Sequence, residues 1–259
     1  MKTYLTLSAI AVAAAATLSS GTVLAQAAAP AATPEFAVTG NFGITSDYRF
    51  RGLSQNNLDP AVQGGFDIAH SSGLYIGTWG SNVSAWAASS TGSLELDIYG
   101  GYKTTLGDVG LDVGAIAYKY PSSLQSYRSN TEEVYVGLSY GPAVFKTSYV
   151  TSKNYFASAG SDNSGTMYYD LTLSQELMPK LVGSIHVGYT DYKKDGESAV
   201  GGKFSYADYN VGLAYDLGNG MTAAAKYFWN DAKAGTKAYT GESPKLYKDG
   251  FAVSLTKAF

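Results

Sequence analysis

Asp47, Arg49 and Arg51 stand at alternate positions, and that spacing places all three on one face of an extended chain. Glu95 and Asp97 repeat the spacing. Lys103 continues that face, and Asp112, Asp170, His186 and Lys226 fall on the polar side of other alternating stretches. Charges of both signs on an enclosed face have two uses. They can line a water-filled passage and set its selectivity for ions and small polar solutes. Alternatively, they can close the space, with Arg49 and Arg51 paired to Asp47, Glu95 and Asp97. The open passage is the main expectation and the sealed interior the alternative.

Catalytic chemistry has little to work with. His186 has Ser184 two residues away on the same face, but a hydrolase also needs an orienting group and an oxyanion site. His70 sits in a tight turn and reads as solvated. Two histidines and no cysteine give no zinc spacing. Asp162-Asn163-Ser164-Gly165 and the stretch Asp191 to Glu197 carry oxygen ligands but read as turns. Gly64-Gly65 and Gly100-Gly101 lie in strands, not before a helix, so no phosphate loop is present. No catalytic residue, metal or cofactor is expected.

The elements that must position the charged face are strands. Alternation predicts about twelve, near 36–51, 60–70, 73–82, 93–105, 109–120, 132–141, 143–153, 166–177, 180–192, 203–217, 221–231 and 248–259. In the fourth, Leu94, Leu96 and Ile98 oppose Glu95, Asp97 and Tyr99. In the first, the same parity puts Phe42, Ile44, Ser46, Tyr48 and Phe50 outward. Connections also alternate. Those at 70–73, 106–108, 141–142, 178–179 and 217–220 are tight; those at 52–59, 83–92, 121–131, 154–165, 193–202 and 232–247 are long. Short turns at one end and long loops at the other predict an all-β, closed, antiparallel up-and-down transmembrane barrel with periplasmic turns and extracellular loops. A soluble β-sandwich also alternates, and is the rival fold.

The composition fits a barrel. The chain has 259 residues, a formal charge of −3, 22 Tyr and 30 Gly. Tyr favours strands and membrane interfaces. A mean hydropathy of −0.08 is compatible with a barrel, in which only alternate residues meet lipid. No basic face points to nucleic acid. Lys2, the apolar run from Leu5 to Leu18 and the small residues before Gln26 predict a signal peptide over 1–25, cleaved after Ala25 or Ala27. A flexible leader over 26–35 and a barrel over 36–259 follow. The last strand alternates through Phe251, Val253 and Leu255 to Phe259, the expected insertion signal read by a barrel-assembly machinery.

The stretch Ser46-Asp47-Tyr48-Arg49-Phe50-Arg51-Gly52-Leu53-Ser54-Gln55 resembles the opening motif of the TorF family of porin-type proteins, a set of proteobacterial proteins of unknown function. Ala61 to Asp67, Gly77 to Val83, Glu95 to Tyr102 and Tyr118 to Pro121 are similar to it in order. Ser122-Ser123 after Pro121, where the family has glycine, and Lys257 near the end depart from the pattern. The resemblance implies an outer-membrane location and transport, with no substrate or catalytic residue to carry over. The expected function is passive diffusion of small hydrophilic solutes or ions across the outer membrane of a Gram-negative cell. A closed structural or adhesive surface barrel is the alternative, and a barrel enzyme is the more remote one.

Overall fold

A computed structural model describes residues 35–84, 92–121, 130–156, 162–193, 204–232 and 245–259. The expected signal peptide, its two cleavage points, the leader apart from Glu35 and the middles of five long loops lie outside the described residues.

Strand runs fall where alternation predicts them. They are β1 (Phe36–Thr45), β4 (Ala61–His70), β5 (Leu74–Asn82), β6 (Leu94–Leu106), β7 (Val109–Lys119), β8 (Thr131–Tyr140), β9 (Ala143–Val150), β10 (Met167–Met178), β11 (Leu181–Asp191), β12 (Tyr206–Gly218), β13 (Met221–Asn230) and β14 (Gly250–Ala258). Each pairs antiparallel with its sequence neighbours, and β1 pairs with both β4 and β14, closing a twelve-stranded barrel. Closure leaves no sheet edge, which hydrocarbon requires because it offers an unpaired N–H or C=O no partner. The seam carries five residue pairs, from Asn41 opposite Ala258 to Thr45 opposite Ser254. It is extended by the Phe259 amide donating 2.9 Å to the Gly40 carbonyl, with the reverse bond at 2.8 Å. Phe36 and Phe259 therefore both lie at the tight-turn end.

The outward face is apolar. Phe42, Ile76, Ile98, Ile185 and Val253 are all about half exposed or more, and nothing among the described residues covers them. So wide an exposed apolar surface is stable only against lipid or a partner. Outward tyrosines mark its limits: Tyr102, Tyr140 and Tyr215 toward the turns, Tyr149, Tyr169 and Tyr189 toward the loops. These amphipathic rings suit the two membrane–water boundaries. Inside, Tyr and Gly are used together. The Tyr99 ring lies across Gly77 of the neighbouring strand, where an added Cβ would come within 2.4 Å of it.

The first expected strand is corrected. It ends at Thr45, not 51. Asp47 to Asn56 instead folds into the lumen as a small hairpin of β2 (Arg49–Phe50) and β3 (Leu53–Ser54). Its two turn residues, Arg51 and Gly52, have φ of 47° and 77°. Two positive angles make the tight turn that a two-residue hairpin prefers. Tyr48 and Phe50, expected outward, are buried in the lumen, as 1% and 7% exposures show. The reason is geometric. Alternation carries on through Ser46 to Arg51, so the pattern is that of a strand, but the backbone leaves the wall and fills space that only a closed barrel creates. Phe50 then joins a core with Trp79, Ile116 and Tyr118, while Leu53 packs against another with Tyr206, Leu246 and Tyr247.

Candidate functional site: the plugged outer lumen

The hairpin reaches from the β1 side of the barrel to the opposite wall. Tyr48 donates 3.0 Å to Glu95 of β6, and its ring packs edge-on to Trp79 of β5. Arg49 donates to Asp47, an ion pair with both side chains buried, and 3.2 Å to the Gly52 carbonyl. Asp47 also accepts 2.6 Å from Ser54, so the pair clamps the base of the hairpin.

Arg51, at the tip, meets the far wall. Its Nη2 donates 2.7 Å to Glu133 Oε2 of β8 and its Nη1 donates 2.8 Å to the Tyr155 hydroxyl. The guanidinium lies 4.3 Å from the Tyr168 ring of β10 and 4.8 Å from its neighbour Phe50. Tyr206 of β12 donates 2.9 Å to the Arg51 carbonyl. Burial on its own would lower the Arg51 pKa, but Glu133 and the surrounding groups reverse this and raise it well above the ordinary value. Arg51 is therefore a fixed cation. Burial, and then the charges of Glu95 and Asp97, push the Tyr48 hydroxyl well up.

Gly52 makes this approach possible. An added Cβ there would lie 2.5 Å from Asp208 Cβ of β12. Below it, His186 of β11 bridges two carboxylates, with Asp208 3.1 Å from Nε2 and Asp170 of β10 3.3 Å from Nδ1. Thr172 and Tyr168 lie 3.1 and 3.3 Å from the same ring nitrogens. The ring is held by carboxylates and hydroxyls of β10 and β12, not by Ser184. This arrangement pins β10, β11 and β12 together.

The other predicted residues spread along the lumen. Asp97 is fully buried beside Glu95 in the outer half, and neither of its carboxylate oxygens has a hydrogen-bond partner. Toward the turn end, Asp112 accepts 2.6 Å from Tyr75, and Lys103 sits 4.4 Å from the same ring. Lys226 shares the inward face of β13 with buried Phe228 and Thr222 and is half-buried. Phe259 packs edge-on to Phe66 on the outer surface, at 6.2 Å. The structure thus gathers Asp47, Arg49, Arg51, Glu95 and Asp97 in one outer chamber and Asp170 with His186 beside it. Lys103 and Asp112 meet at Tyr75 toward the turn end, and Lys226 faces the lumen from β13, apart from them. The predicted Arg49–Asp47 pairing is present, whereas Arg51 pairs with Glu133 and not with Asp47, Glu95 or Asp97.

Sequence reasoning missed Glu133, Tyr168, Asp208 and Lys146. Parity could have found the first: Thr131, Glu133 and Tyr135 share a side opposite Val134 and Val136. Lys146, 4.0 Å from the Tyr135 ring, lies in a strand of looser alternation.

Solved structures share this architecture. A KdgM porin superposes with a TM-score of 0.52 at 8% identity, covering 85% of this chain and 99% of that one. A second KdgM structure, in complex with disordered oligogalacturonate, gives 0.52 at 6% identity over 86% and 99%. A NanC porin gives 0.51 at 11% identity over 86% and 99%. At such identities the likeness is one of fold, a closed porin-type barrel. No curated protein sequence matches the chain. The family model for "bacterial protein of unknown function (Gcw_chp)" matches residues 28–259, and the chain belongs to that family.

Proposed function

We propose that this chain is an outer-membrane channel for small hydrophilic solutes or ions, reached through a cleaved signal peptide and narrowed on its outer side by the Asp47–Asn56 hairpin. The observation that carries the reading is a set of partly exposed charged side chains on the inward face. Lys103, Asp112, Lys146 and Lys226 point inward from four strands, yet each keeps contact with solvent. Charged groups facing a wet lumen, behind a wall with an apolar outer belt, suit a conduit better than a packed core. The shared barrel of the KdgM and NanC porins supports it, as does the likeness of Ser46–Gln55 to the TorF porin-type proteins. The carboxylates and arginines of the outer chamber are the candidate selectivity groups. Phe259, at the end of β14, is the proposed insertion signal for the assembly machinery.

The hairpin also favours a second reading, a closed-lumen surface barrel whose long loops bind a partner, because the outer chamber is densely packed. Planar bilayers separate the two. The full chain should give discrete conductance steps, larger or more frequent in Arg51→Ala, where the hairpin tip loses its anchor. Silence from both proteins, with the folded barrel inserted, would overturn the channel.

A further inference from the structure

We propose that the outer chamber recognises small organic cations bearing a guanidinium or primary ammonium group, and that such a solute competes with Arg51 for Glu133. This rests on the channel reading and adds the solute class. Arg51 shows what the far wall accepts: a planar cation, one carboxylate oxygen and one hydroxyl as acceptors, and the flat face of Tyr168 at 4.3 Å. Carboxylate plus aromatic face is the combination that holds guanidinium and ammonium ions. Arg51 uses it incompletely. Glu133 Oε1 is buried without a partner, and so is the Nε of Arg51. A free guanidinium could take both Glu133 oxygens at once.

Asp97 is the independent observation. It is fully buried, inward-facing, and unpartnered at both carboxylate oxygens. A buried carboxylate without a partner is costly, and a bound cation is one way to offset that cost. The register sets it near Glu133. Asp97 lies opposite Tyr118 on β7, Tyr118 lies opposite Thr131 on β8, and Glu133 is the next inward residue of β8. The two carboxylates therefore face the lumen from the strands on either side of β7, which carries Tyr118. An inorganic metal fits poorly: among the described residues no group of three or more ligating side chains could hold one. A cation with its own donors could take up the acceptors that Arg51 leaves unused on Glu133 and Asp97.

The test is calorimetric titration of agmatine, which carries both cationic groups, into the full chain in detergent micelles, with sodium glutamate as the anionic control. Wild type should bind agmatine saturably and glutamate not at all. Asp97→Asn should weaken binding by about tenfold or more, and Arg51→Ala should strengthen it by about tenfold, since the competing guanidinium is gone. Fold is checked by the resistance of the barrel to unfolding in cold detergent gels. If Asp97→Asn does not fold, Glu133→Gln carries the same readout. Absence of saturable binding in wild type, equal binding of glutamate, or undiminished binding in the carboxylate variant overturns the proposal. A protein that conducts but ignores agmatine sinks this inference alone. One that binds agmatine in this pattern yet never conducts sinks the channel reading and leaves the recognition site.

Discussion

Arg51 and Glu133, 82 residues apart in sequence, meet at 2.7 Å across the outer lumen, each almost completely buried. The contact joins the tip of a hairpin that leaves β1 to the far wall of the barrel. Through it, the first long connection becomes an internal strut.

Removing one partner of such a pair leaves the other charge stranded in a poorly solvated place. Arg51→Ala should therefore destabilise the barrel by about 3–5 kcal/mol, as measured by urea unfolding in micelles. Arg51→Ala combined with Glu133→Gln should recover part of that loss. A single variant as stable as wild type would show that the strut contributes nothing.

Gly52→Ala should be harmful despite adding one methyl group. The backbone there has φ of 77°, and the new Cβ would meet Asp208 at 2.5 Å. The expected loss is about 1–3 kcal/mol, with the hairpin displaced from the wall. An unchanged unfolding midpoint, with unchanged fluorescence from Trp79 beside Tyr48, would count against the packed hairpin.

Alkaline pH should loosen the hairpin. Burial raises the Tyr48, Tyr120 and Tyr155 hydroxyls above the ordinary value of 10.0; nearby Glu95 and Asp97 add to the first two, while Arg51 partly opposes the shift of Tyr155. Unfolded chains ionise first, so these groups contribute stability below pH 10 that is lost as pH rises through their folded values. Absorbance at 295 nm should show a fraction of tyrosines ionising late, together with the unfolding transition. A single titration at the ordinary value would refute the dry environment.

His186 should matter to stability and not to chemistry. His186→Leu leaves Asp170 and Asp208 without their shared partner and should cost about 1–3 kcal/mol, read as a lower urea midpoint. A variant with the wild-type midpoint and a lost hydrolytic activity would overturn the strand-pinning role.

Much of the wall was legible in the sequence because a strand in a barrel obeys a local rule. Each residue faces lipid or lumen by parity, so Leu94, Leu96 and Ile98 against Glu95, Asp97 and Tyr99 fix both faces of β6. The tight turns at 106–108 and 178–179 fix its direction and that of β10. The same local rule fails at Ser46 to Arg51. There, alternating polar and aromatic residues look like more wall, yet Tyr48 and Phe50 are interior. What separates the two cases is space: the lumen that receives Phe50 is bounded by Trp79 and Tyr118, and the anchors of Arg51 come from β8, β10 and β12. Parity along one strand contains no distance across the barrel. Sequence alone therefore determined which side chains face inward along β6; the closed tertiary structure decided that Glu133 holds Arg51 and that Asp97 stands without a partner, because both depend on strands brought together only by closure.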